Sequence, residues 1–170
     1  MSFRNRCSIA GANGIIDLSV PVVGGRHADD LVKDVKIDNL QKWQLIHWRS
    51  ITSAYNHSPW FEFYKDGLEP FYKRRYAYLW DWNFDLMNWV LKQLKADVEI
   101  GFTELYQKEY TESGIIDFRN KILPRNLADF SKDAPVYHQV FENKLGFLPG
   151  LSIIDLLFCE GNNAIHLLKL

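Results

Sequence analysis

Two short runs, Arg6-Cys7-Ser8-Ile9-Ala10 and Ile15-Ile16-Asp17-Leu18-Ser19-Val20-Pro21-Val22, flank Gly11-Ala12-Asn13-Gly14, and their reading decides the fold class. In the second run Ile16, Leu18, Val20 and Val22 alternate with Asp17, Ser19 and Pro21, the two-residue period of a strand with one buried face. Asn13-Gly14 supplies residues that tolerate positive φ, as short hairpin turns require. Pro21 cannot donate to a ladder and marks an edge or a strand end. A hairpin over 6–22 is therefore the first element.

Helical signals fill the middle of the chain. Over 40–55 there is no Gly or Pro, and Leu40, Trp43, His47, Ile51 and Ala54 recur at three- and four-residue steps. Asn39 is a suitable N-cap for that helix. Ser58-Pro59 predicts a second start, closed by Asp66-Gly67, with another helix over 69–78. Asp81 is placed to cap an amphipathic stretch carrying Trp82, Leu86, Trp89, Val90 and Leu94. Residues 35–38 and 98–102 read as short strands, and Thr103 as the cap of a helix over 104–110. Residues 135–141 alternate weakly, as strand or irregular chain. Ser152 with Asp155 three residues on has the capping-box form, opening a helix that Glu160-Gly161-Asn162-Asn163 ends and 164–170 follows. The sum is an α+β domain over residues 1–170, a small and mostly antiparallel sheet with several helices packed on it. A mixed α/β sheet is the alternative.

The chain has 170 residues, 47% apolar and 24% charged, with a net charge of -1. That length suits one domain able to bury its own core. Residues 1–85 hold 11 Lys/Arg against 10 Asp/Glu, and residues 86–170 hold 9 against 11. Neither half offers the one-sided basic field that drives nucleic-acid binding. The local cluster Lys73-Arg74-Arg75 fits a solvated helix face better than a phosphate grip. No run approaches the roughly 20 apolar residues of a membrane span, so no membrane insertion is expected. Cys7 and Cys159 read as free thiols of a reducing cytoplasm.

Chemistry-bearing residues are few and scattered. None of the short phosphate-loop, zinc or nucleophile-elbow motifs occurs, no histidine pair has metal-ligand spacing, and no cofactor is indicated. His47 stands out because its stripe aims it inward beside Trp43 and Trp48, where a histidine serves as a general base or as a hydrogen-bonded core residue. Gly24-Gly25-Arg26-His27 reads as a connector rather than a phosphate loop. Arg6, Arg26, Lys36 and Arg49 are the cations able to hold an anion. Aromatic residues make up 15% of the chain, either as core or as a surface that stacks a sugar.

Several motifs together resemble the WbqC-like proteins, a bacterial family in which some members are encoded among genes for O-antigen and other surface polysaccharides. They are Ser2-Phe3-Arg4-Asn5-Arg6-Cys7-Ser8-Ile9-Ala10-Gly11-Ala12-Asn13-Gly14, Leu18-Ser19-Val20-Pro21-Val22, and Val35-Lys36-Ile37-Asp38-Asn39. Trp43, His47-Trp48 and residues 55–61 continue the likeness. So do Tyr137-His138-Gln139-Val140-Phe141, Gly146-Phe147-Leu148-Pro149 and residues 151–161. The resemblance implies a cytoplasmic role in surface-polysaccharide or O-antigen biosynthesis. The reaction it suggests is acyl or aminoacyl transfer to a nucleotide-linked amino sugar. A non-catalytic protein that binds a sugar or a partner of the same pathway is the alternative. On the enzyme reading, His47 and Asp155 are the catalytic candidates, and Asn5, Arg6, Lys36, Trp43, Tyr55 and Gln139 the substrate-binding ones. Family members carry a further segment before the Asn-Arg motif, which here falls almost at Met1. The expectation is a domain truncated at its N-terminus, with an exposed apolar edge near the hairpin.

Overall fold

A computed structural model describes residues 3–24, 31–110, 114–119 and 121–168. It is an α+β fold in which one antiparallel hairpin is surrounded by helices. Strands β1 (Arg6–Gly11) and β2 (Gly14–Ser19) pair from Arg6 opposite Ser19 to Gly11 opposite Gly14. Gly14 takes φ 125°, open to glycine and strained for other residues. Ile9, Leu18 and Val20 are buried, whereas Ile15 and Ile16 at the turn end are exposed.

No third strand covers the outer edge of β1 among the described residues; groups from distant segments satisfy it. The Ala10 amide donates to the Tyr55 hydroxyl at 3.1 Å, and the Ser8 carbonyl accepts from the Ser152 amide at 2.7 Å. The expected strand over 35–38 is reduced to isolated bridges, Val22 with Ile37 and Lys36 with Tyr78.

Helix α1 (Trp43–Tyr55) buries Trp43, His47, Ile51, Ala54 and Tyr55, the face its spacing predicts. Its start differs from expectation. Leu40 is exposed, and Asn39 does not cap, because its amide donates to the Tyr76 carbonyl 37 residues away, at 2.7 Å. Helix α2 (Phe61–Lys73) replaces the two shorter helices expected over this stretch and runs straight through Gly67 and Pro70. The Ser58 hydroxyl donates back to the Tyr55 carbonyl instead of capping. Gly67 is not a terminator: a Cβ there would lie 2.8 Å from Trp89 Nε1, so glycine lets α2 approach α3 (Leu79–Leu94). Asp81 lies in the first turn of α3 without a cap bond.

Residues 98–102 and 104–110 form neither the strand nor the helix expected. Short helices α4 (Leu127–Phe130) and α5 (Glu142–Leu145) precede α6 (Ile153–Glu160) and α7 (Ala164–Leu168). Ser152 stands at the N-cap of α6, but its side chain makes no capping bond. Residues 25–30, with Arg26 and His27, lie outside the described set.

Two apolar clusters hold these elements. The larger joins β1, α1, α2 and α6 through Ile9, Ile51, Tyr55, Phe61, Tyr64, Leu68, Leu157 and Phe158. The smaller gathers Val20, Val35, Ile37, Trp43, Tyr76 and Leu79. Each large side chain buried here contributes roughly 1.5–3 kcal/mol of transfer free energy. Most of the aromatic content is thus core.

Candidate functional site

The predicted site residues fall into two separate groups. The first meets at a cavity of about 160 Å³ between the start of the hairpin, α1, α2, α3 and the residue before α6. Asn5, Arg6 and His47 all border it. Arg4, Cys7, Tyr72, Trp82, Asn83 and Ser152 line it too, none of them among the site residues expected from the sequence. Leu18, Val20, Leu86 and Ile154 supply apolar wall.

Local geometry fixes these side chains. The Asn5 carbonyl accepts from the Val20 amide, and the Asn5 amide group donates to the Val20 carbonyl, both at 2.8 Å, which holds the residues before β1 against the end of β2. One Nδ2 hydrogen of Asn5 is thereby committed, and the other, with Oδ1, is what it can offer a ligand. Asn83 on α3 donates to the Arg4 carbonyl at 3.0 Å, anchoring the turn that carries both arginines. Among the described residues the wall includes two arginines and no aspartate or glutamate. Arg4 Nε and Trp82 Nε1 are buried and meet no hydrogen-bond acceptor among the described residues.

His47 is 5% exposed, with Nε2 3.1 Å from the Ser19 carbonyl. A carbonyl can only accept, so Nε2 carries the hydrogen and donates, which leaves Nδ1 as the basic nitrogen. Burial pushes its pKa below the usual histidine value, against a smaller opposing effect of the Ser19 bond. The ring is therefore neutral at pH 7. Trp43 meets it edge-on with centroids 5.2 Å apart, and Trp43 meets Trp82 at 5.4 Å. Trp43 does not border the cavity; it braces two residues that do. Burial likewise raises the Cys7 thiol pKa, partly offset by a hydrogen bond with Ser152.

The second group surrounds Asp155, which is fully buried. Tyr55 donates to its Oδ1 at 2.6 Å and Tyr137 to its Oδ2 at 2.7 Å. The Gln139 amide reaches Oδ2 at 3.3 Å and the Leu148 carbonyl at 2.9 Å, while Gln139 Oε1 accepts from the Leu148 amide. Burial raises the Asp155 pKa, and the three donors pull it partly back. Both carboxylate oxygens are hydrogen-bonded, so Asp155, Tyr55 and Gln139 tie α1 to α6 and the chain before α5. They do not share the cavity with His47. The capping-box reading of Asp155 is replaced by this network, because tyrosines from elsewhere in the chain reach the carboxylate. Lys36 is exposed and does not border the cavity. The Lys73-Arg74-Arg75 cluster is solvated, Lys73 pairing with Glu69 and Arg74 lying 4.9 Å over the Tyr76 ring.

The sequence did hold a signal for part of what was missed. Arg4 and Arg6 flank Asn5 at the root of the hairpin, and Trp82, Asn83 and Leu86 lie at one- and four-residue steps on one helix. Nothing local links those two segments. Among the described residues, no group of three His, Cys, Asp or Glu side chains is placed to hold a metal ion, and no helix is long and apolar enough to cross a membrane.

The fold and cavity define a small α+β protein with a recess that Arg4 and Arg6 border and that, among the described residues, no Asp or Glu lines. A family model described as the WbqC-like protein family matches residues 1–128, and the chain belongs to that family. The match contains every cavity residue except Ser152 and Ile154, whereas Gln139 and Asp155 lie beyond it. No curated protein and no solved structure matches the chain.

Proposed function

We propose that this WbqC-like protein acts in bacterial surface-polysaccharide or O-antigen biosynthesis, in the cytoplasm, by acyl or aminoacyl transfer to a nucleotide-linked amino sugar. The observation that carries the reading is the convergence of Asn5, Arg6 and His47 on one cavity. A neutral histidine with Nε2–H fixed on Ser19 has Nδ1 ready to take a proton, the role a general base needs at neutral pH. In the proposed step the sugar amine attacks the carbonyl carbon of an activated acyl donor. A C–N bond forms, the donor's leaving group departs, and His47 accepts the amine proton.

Size limits what enters. Pockets that enclose drug-sized ligands run to roughly 300–1,000 Å³, so a recess of about 160 Å³ admits one group and leaves the nucleotide outside. Asp155 is reserved for structure in this reading, and Trp43 supports His47 rather than touching substrate.

Purified protein supplied with nucleotide-linked amino sugars and acyl or aminoacyl thioesters, followed by mass spectrometry, tests the proposal. Transfer by the wild type, lost at least a hundredfold in His47→Gln with unchanged thermal unfolding, supports it. Equal transfer by His47→Gln removes His47 as base, and no transfer across the panel refutes the reaction class. The non-catalytic alternative draws on the stacked Trp80–Phe84 pair with Phe102 edge-on beside it, an aromatic surface with Phe102 63% exposed. Nucleotide-sugar binding weakened by Trp80→Ala and untouched by His47→Gln would favour it.

A further inference from the structure

We infer that the cavity is a binding site for a small organic carboxylate with a short apolar tail, held by Arg4 and the Trp82 indole N–H. Three observations carry this, and they deepen the transfer reading by naming the group that enters. Among the described residues the wall includes Arg4 and no Asp or Glu, so it favours an anion. Two of its side chains, Arg4 and Trp82, bury donors at Nε and Nε1 that meet no acceptor among the described residues. A buried donor without a partner costs on the order of 1–3 kcal/mol, and a ligand oxygen at this wall removes that cost. Guanidinium forks match carboxylate geometry, and indole donates but never accepts.

The rest of the wall selects against a bare inorganic anion. Leu18, Val20, Leu86 and Ile154 face the same space as the arginines, and a cavity near 150 Å³ holds a six-carbon ring. A volume of about 160 Å³ therefore suits a carboxylate carrying roughly four to six further carbons. Phosphate would satisfy the donors and leave the apolar wall unfilled. In a transfer reaction such an acid is the unactivated form of the acyl donor.

Calorimetric titration of the full chain tests this without reference to catalysis. The ligands are isovalerate, benzoate and cyclohexanecarboxylate, with benzamide as the neutral counterpart of benzoate and inorganic phosphate as the bare anion. A carboxylate binding at least tenfold more tightly than both benzamide and phosphate is the expected result. Arg4→Gln and Trp82→Phe should each weaken it about tenfold, with far-UV dichroism and thermal unfolding confirming that the variants fold. Because Cys7 lines the cavity, the same carboxylate should also slow alkylation of Cys7 in a Cys159→Ser background. Equal binding of benzoate and benzamide, tighter binding of phosphate, or carboxylate binding that leaves Cys7 alkylation unchanged overturns the assignment. Failure of the transfer assay alone leaves these titrations unaffected, so the two proposals fail separately.

Discussion

Replacing Tyr55 by phenylalanine removes one oxygen that does two jobs. It donates to Asp155 Oδ1 at 2.6 Å and accepts from the Ala10 amide at 3.1 Å, with Tyr55 and Asp155 both fully buried. A hydrogen bond to a charged group contributes about 1.5–3 kcal/mol, and a stranded buried amide costs about 1–3 kcal/mol. The expected loss is therefore about 2.5–6 kcal/mol. At 3 kcal/mol that lowers the melting temperature of a chain this size by about 6–12 °C. Tyr137→Phe is the internal control. Its hydroxyl also donates to Asp155, at 2.7 Å, but Tyr137 is half-buried and no strand amide depends on it. Its loss should be about 1–2 kcal/mol. The double variant leaves Asp155 with the long Gln139 contact alone, so the two losses should couple by at least 0.5 kcal/mol. Urea denaturation read by tryptophan fluorescence gives all three values, provided the m-values stay constant. A Tyr55→Phe loss below about 1 kcal/mol, or strictly additive losses, would refute the picture of one shared carboxylate anchoring the edge of β1.

Other expectations follow from the same geometry. The folded pKa of Asp155 is raised. Its contribution is therefore fully present below the unfolded carboxylate value and is lost as pH rises through the folded one. The stability advantage of wild type over Asp155→Asn should accordingly shrink from acid to neutral pH in urea titrations. His47 has the opposite sign, because its folded pKa is lowered. Its stabilising neutral form is complete above the unfolded histidine value near 6.5, and stability declines as pH falls from there toward the folded value. His47→Gln should flatten that part of the stability–pH curve. Gly67→Ala should destabilise by about 1–3 kcal/mol in thermal unfolding despite alanine's better helix propensity, since the new Cβ meets the Trp89 indole. Burial pushes the Cys159 thiol up to about 12, so at pH 8 its thiolate fraction is on the order of one in ten thousand. A disulfide reagent should modify it far more slowly in the native protein than in urea.

The cavity combines features that stability alone would not select. Two arginines share an apolar recess, and buried donors on Arg4 and Trp82 lack acceptors. Around Asp155 the buried polar groups are paired, whereas Trp43 Nε1, Thr52 Oγ1 and Tyr64 Oη, outside the cavity, are also buried without a partner among the described residues. Arg4 and Trp82 differ from these in bordering a cavity with room for a ligand.

Elements governed by near neighbours were legible in the sequence. The hairpin followed from alternation and Asn13-Gly14, and the buried face of α1 from the 3.6-residue period. Charge balance and the lack of a long apolar run likewise need no fold. What the tertiary structure alone decided were outcomes settled by partners far along the chain. Asn39 left its cap for a carbonyl 37 residues away, and Gly67 became helical because a tryptophan of α3 needed the space. Asp155 took a tyrosine 100 residues distant instead of Ser152. The cavity is the fullest case, since Arg4, His47, Trp82 and Ser152 come from four segments with no common period. Local spacing fixes the direction in which a side chain leaves its own element, but only packing fixes what it meets.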